Sequence, residues 1–244
     1  MARRVLLVPS RIAPASATDE DQGKAAARCR QWRELEIAMA FPEFFARVPA
    51  ITLRDPLAEL LGAAEGGLIE YRFADVVKLT GHSCPTVAGA WLMTVRALRA
   101  LYGDEIPERG NIAVALRESL DGGVAGVIGS VAGLLTGAAG AGGFKGLGGR
   151  HSRRNLLQFG VAGIGSVTFM RLDTDAAVDC TLRLEMVPAD PRLGKLLGAV
   201  LNGTANPDDT RQFGSLWQER VARILIDHGE DHEIVALRPC ANSL

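Results

Sequence analysis

In "LTGHSCPTVAGAW", residues 79–91, an imidazole and a thiol stand two positions apart, His82 and Cys84, directly before Pro85. Proline suits the first position of a helix, where its missing N–H costs nothing, so Cys84 is the predicted N-cap. A thiol there meets free backbone N–H groups and the positive end of the helix dipole, which favours the thiolate form. Thiolate and imidazole are both donors for a borderline divalent metal, and the same pair can serve a nucleophile. The spacing alone equally suits a structural cysteine at a tight turn beside a histidine that caps a carbonyl.

A second group of candidates lies in "GGFKGLGGRHSRRNLL", where a flexible backbone carries Lys145, Arg150, His151, Arg153 and Arg154. Phe144 separates Gly143 from Lys145, so the Walker ending G-K-[ST] is absent, and no G-x-G-x-x-G can be laid on 140–149. Lys145 and Arg150 are candidates for gripping an anionic ligand together with backbone N–H groups, while a solvated basic loop is the plainer reading. His151 is a candidate further metal ligand, folded over Cys84. Glu118 and Asp121 are the carboxylates best placed in sequence to lie near such a site. "DHGEDH", 227–232, spaces two histidines by four, but Gly229 predicts that a helix is ending there and the H-E-x-x-H order is absent. No Ser, His, Asp order marks a hydrolase triad.

The elements that must carry these residues are legible in outline. Val87, Trp91, Val95 and Leu98 predict a helix over 85–102, with Gly103 ending it. A short helix is expected from Pro56 to Leu61 and a strand over 111–117. The run 122–149 holds 12 glycines, and its front half, "VAGVIGSVAGLLTG", reads as a buried helix that another backbone can approach closely. "RNLLQFG", "GSVTFMRL" and "AVDCTLRLEMVP" are strand-like; in the last, Val178, Cys180, Leu182, Leu184 and Met186 share one phase, which makes Cys180 a core residue. Helices follow over 190–202 and from "NPDD", where Asn206 caps and Pro207 takes the first position. Phe213, Leu216, Trp217, Val221, Ile224 and Leu225 give the latter one apolar face, and "HEIVALRP" closes the chain as a strand. This order predicts an α+β fold, a single compact domain over 36–244 with a mixed or antiparallel sheet packed on helices, preceded by a polar arm over 1–35.

Composition removes several classes of function. The 244 residues are 48% hydrophobic, enough for a substantial core, and 27 basic against 28 acidic residues leave a net charge of -1. That balance gives no electrostatic footprint for nucleic acid or an anionic membrane. Cys29, Cys84, Cys180 and Cys240 form no C-x-x-C pair, and the apolar run after the basic N-terminus is too short for an export signal, so a reducing cytoplasm is the expected setting. No segment reaches the roughly 20 apolar residues of a membrane span.

"GHSCPTVAG" resembles the G-H-x-C-P motif of the formylmethanofuran dehydrogenase E-subunit family, and "DPRLGKLLGAVLNGTANPDDTRQFGSLWQERVARIL" is similar to the helical end of that domain. The resemblance covers roughly residues 36–228. The resemblance implies a compact α+β domain, commonly a homodimer, that binds a divalent metal, most often zinc, near the motif cysteine. His82 and Cys84 are the residues it carries across. The chain has Thr86 where the family often has glycine, and no cysteine in 122–143 where relatives often place a further one. The expectation is thus a metal-binding protein in redox-associated or metal-handling work. The alternative is a metal-free module that holds a small anionic ligand.

Overall fold

The computed structural model describes residues 41–162 and 165–240. The arm over 1–35 and its expected boundary lie outside the described residues, as does Cys29. The described residues from Pro42 onward form one unit by their internal contacts. It opens with a 3-10 turn, Glu43–Arg47, followed by an antiparallel pair of short strands, β1 (Ile51–Arg54) and β2 (Leu68–Tyr71). Between them lies α1 (Pro56–Leu60), started by Asp55, whose Oδ1 accepts the N–H groups of Leu57 and Ala58 at 3.0 and 3.3 Å. α2 (Phe73–Thr80) ends at Gly81, whose φ of 73° is open to glycine at little cost and turns the chain into the 82–84 loop.

α3 (Pro85–Tyr102) is the spine of the domain, with the bounds that the apolar spacing predicts. Val87, Trp91, Val95 and Leu98 are buried on it, and Phe73 meets the Trp91 ring edge-on at 6.2 Å between centroids. The helix lies against β5 (Val167–Arg171), β6 (Ala177–Leu182) and β7 (Val235–Cys240), and against α2 and α4 (Ala125–Thr136). The main sheet runs β4-β3-β5-β6-β7, with β3 at Ile112–Leu116 and β4 at Leu157–Gln158. β3 and β4 are parallel, and the other neighbours are antiparallel, with Val167 opposite Cys180 and Cys180 opposite Leu237. The fold is therefore α+β with a mixed sheet. Among the described residues no helix is long and apolar enough to cross a membrane.

Two expected strands come out shorter. "RNLLQFG" pairs only at Leu157 and Gln158, because Gly160 then donates its N–H to Glu118 and Val161 to Leu116. The run through Met186 stops pairing at Leu182. Leu184–Met186 becomes a 3-10 turn, and the Arg220 guanidinium donates to the carbonyls of Leu184 and Val187 there. The glycine-rich run does contain a helix, α4. Its Gly129 faces Phe159 and Leu116 so closely that a Cβ would lie 2.9 Å from the Phe159 Cε1. The last helices are α5 (Arg192–Leu201) and α6 (Pro207–Ala222), and α6 runs on into a π turn, Arg223–Asp227. Asn206 caps α6 through a bond from the Asp209 N–H to its Oδ1 at 2.8 Å.

Candidate functional site

The 82–84 loop is fixed from three sides. Thr80 Oγ1 donates to the carbonyl of His82 at 2.9 Å, and Cys84 occupies the N-cap of α3 with its Sγ accepting the Val87 N–H at 3.4 Å. From α6, Trp217 Nε1 and Gln218 Nε2 both donate to the Ser83 carbonyl, at 3.0 and 3.1 Å. The polar valence of this wall is not used up, since Ser83 Oγ and Gln218 Oε1 are buried with no hydrogen-bond partner.

His82 is exposed and holds one ring nitrogen, Nδ1, 2.9 Å from the carbonyl of Thr80. A carbonyl can only accept, so Nδ1 carries a proton, and Nε2 makes no hydrogen bond among the described residues. The ring borders a shallow depression of about 180 Å³ between the end of α2 and α4, lined also by Leu79, Thr80, Gly126 and Ser130. Cys84 is not part of that lining. It is half-buried, and its thiol packs against the core at the head of α3.

Among the described residues no three His, Cys, Asp or Glu side chains gather where they could hold a metal ion. His82, Cys84 and His151 are thus not drawn to one point. His151 sits past a tight turn in which Leu147 and Arg150 bond each other's backbone, and its own φ is 58°. Lys145 and Arg150, on the same excursion, are exposed and form no ion pair among the described residues. Glu118 borders a separate cavity of about 370 Å³ with Met93, Ile128 and Leu182. The Asp121 carboxyl is held below its ordinary range by the Ser119 hydroxyl. The two histidines of "DHGEDH" have separate partners: His228 Nδ1 lies 3.0 Å from Asp231 Oδ2, and His232 Nδ1 accepts from Arg96 Nη2 at 2.9 Å.

The chemistry of a zinc site can be set against these donors. An imidazole with Nδ1 bonded to a carbonyl and Nε2 free matches the arrangement of a metal ligand, and a thiol two residues on adds a second donor of the right softness. His82 and Cys84 remain two candidate donors that do not line one depression, and among the described residues no third His, Cys, Asp or Glu side chain gathers with them.

Sequence reasoning missed the buttress from α6, and it missed a buried charge cluster beneath the glycine-rich loop. Asp55 is ion-paired with Arg109 and, at 2.6 Å, with Arg153. Arg109 also donates to the carbonyls of Leu134 and Leu135 at 2.9 and 3.0 Å, neutralising the C-terminal end of α4. Asp55 directly before Pro56 was readable as a cap; its partners, 54 and 98 residues away, were not. A scan of the sequence against family models and a search of curated proteins both return no match.

Proposed function

We propose that the chain is a metal-binding protein of the formylmethanofuran dehydrogenase E-subunit type, in which His82 Nε2 and Cys84 Sγ hold a divalent ion, zinc by donor preference. The observation that carries this reading is the bond between His82 Nδ1 and the Thr80 carbonyl, which leaves Nε2 free to ligate. The G-H-x-C-P motif and the half-exposed position of Cys84 at the head of α3 support it. An ion held by two side chains supplies Lewis acidity at its remaining positions. A second copy of the chain, in a homodimer, is the proposed source of the missing ligands. Free thiols at Cys84, Cys180 and Cys240 are in keeping with a cytoplasmic setting and with redox-associated or metal-handling work.

A second reading is favoured by one observation: the Cys84 thiol already accepts the Val87 N–H and packs inward, while Lys145 and Arg150 stand exposed without ion pairs among the described residues. In that case a small anionic ligand binds without metal. Elemental analysis of the purified full chain separates the two. About one zinc per chain in the wild type, lost in both His82→Gln and Cys84→Ser with the circular dichroism spectrum unchanged, is the expected result. Serine retains the cap, so a folding defect does not confound the second variant. Stoichiometric metal in both variants would sink the first reading. Metal-free wild type with phosphate binding abolished by Lys145→Ala and Arg150→Ala would establish the second.

A further inference from the structure

At the far end of α3, about 16 Å along the helix from Pro85 by its rise per residue, lies a cavity of about 510 Å³ that plays no part in the reading above. Its floor is Trp91, Leu92 and Val95. One wall is basic, with Arg96 and Arg99 from α3 and Arg47 from the turn before β1. The other wall is the π turn and the residues after it, where the His228 N–H bonds the Arg223 carbonyl at 3.0 Å, five residues back. Single π turns of this kind recur at functional sites.

Arg96 is the unusual group. It is 5% exposed, yet no carboxylate oxygen among the described residues lies within 4.0 Å of its guanidinium. Its donors end on neutral acceptors, the Asp231 carbonyl at 2.7 Å and His232 Nδ1 at 2.9 Å. Because a guanidinium only donates, His232 carries its proton on Nε2 and is uncharged. The acids on the facing wall are committed elsewhere. Glu230 pairs with Arg99 at 2.8 Å, and Asp231 is taken by His228 at 3.0 Å and the Glu233 N–H at 2.8 Å. Asp227 and Arg47 are both exposed and line the same cavity, and Arg47 forms no ion pair among the described residues. The Asp231 carboxyl feels the Arg96 charge but makes no direct ion pair with it, and a buried guanidinium without a contacting carboxylate is costly unless a ligand completes it.

We propose that this cavity binds a small organic carboxylate with an apolar body, its carboxylate on Arg96 and Arg47 and its body on Trp91, Leu92 and Val95. The size falls among ordinary small-molecule sites, and a guanidinium fork matches a carboxylate in two parallel bonds. The inference does not rest on a metal at His82.

The test is titration of the isotope-labelled full chain with 4-phenylbutyrate and, separately, with its neutral amide, followed by amide NMR shifts. The carboxylate should move the Val95, Arg99 and Ile226 resonances saturably, with a dissociation constant of about millimolar for so small a probe, and leave those of His82 and Ser83 in place. The amide should bind at least about tenfold more weakly, given the strength of charge-assisted bonds. Arg47→Glu, at an exposed position with no ion pair among the described residues, should leave the fold intact and weaken the carboxylate about fivefold or more by charge reversal; Arg96→Lys, which keeps the charge and loses the fork, should weaken it too. Equal binding of acid and amide, shifts confined to the His82 loop, no shifts at all, or an Arg47→Glu chain that binds like wild type would each overturn the proposal.

Discussion

Asp55 and Arg153, 98 residues apart, meet at 2.6 Å in the interior, and Arg109 takes the other oxygen of the same carboxylate. One side chain therefore joins three things: the cap of α1, the C-terminal end of α4 through Arg109, and the last part of the glycine-rich loop through Arg153. Two guanidiniums against one carboxylate leave the cluster with a positive excess, and Arg153 Nη1 is buried with no partner. Burial lowers the pKa of Arg153, with the nearby Asp55 opposing that shift. Arg109 disperses part of its charge over the Tyr71 ring, 5.4 Å from the centroid.

Removing that carboxylate should cost far more than a lost cap. Asp55→Ala leaves two largely buried cations uncompensated, and breaking such a pair costs roughly 3–5 kcal/mol, against about 1 kcal/mol for an N-cap alone. Asp55→Asn keeps an acceptor for the Leu57 and Ala58 N–H groups but not the charge. Urea denaturation should therefore find Asp55→Asn destabilised nearly as much as Asp55→Ala. An asparagine variant within about 1 kcal/mol of wild type, the size of a cap alone, would show that the cap is the main term.

What the sequence discloses here is what is local. Pro85 after Cys84, the four-residue spacing from Val87 to Val95, and Gly103 define α3 because each signal acts within a turn or two of itself. Asn206 and Pro207 do the same for α6. The charge cluster and the hold of Trp217 and Gln218 on Ser83 depend on pairings 54 to 135 residues apart, which no local pattern encodes. The His82 and Cys84 pair lies between these cases. Their two-residue spacing sets how far apart the backbones are, but the fold decides direction, and it sets the imidazole in the depression by α4 and the thiol over the first turn of α3.

Gly89 tests how tightly α3 and β6 are fitted. Alanine usually stabilises a helix interior by about 1 kcal/mol over glycine. At Gly89 the new Cβ would lie 2.8 Å from Leu182 Cδ1 and 3.1 Å from its Cγ, so the whole end of that side chain must move. Overpacking of this kind costs about 1–3 kcal/mol. Gly89→Ala should thus destabilise the wild-type chain and become neutral or favourable in a Leu182→Ala background, measured as a double-mutant cycle by thermal or urea unfolding. A single Gly89→Ala chain more stable than wild type would refute the close fit.

Acid should weaken the domain partly through Asp173. The Arg171 guanidinium donates to both of its oxygens, at 3.0 and 2.8 Å, and holds its carboxyl down to about 2 from the ordinary 3.8. Arg171 is itself anchored, stacked 3.9 Å from the Tyr102 centroid and bonded to the Leu101 carbonyl at 3.2 Å. A carboxyl whose folded value lies below its unfolded one contributes stability that is complete above pH 4 and disappears as the pH falls from about 4 to 2. The Asp173 side chain is 43% exposed, so solvent screening reduces the contribution to about 1 kcal/mol or less. Asp173→Asn should accordingly be less stable than wild type at pH 5 by up to that amount, and the two urea midpoints should converge as the pH approaches 2. A gap of the same size at pH 5 and pH 2.5 would assign the loss to packing instead of charge, because Asp173 is the one titrating group by which the two chains differ.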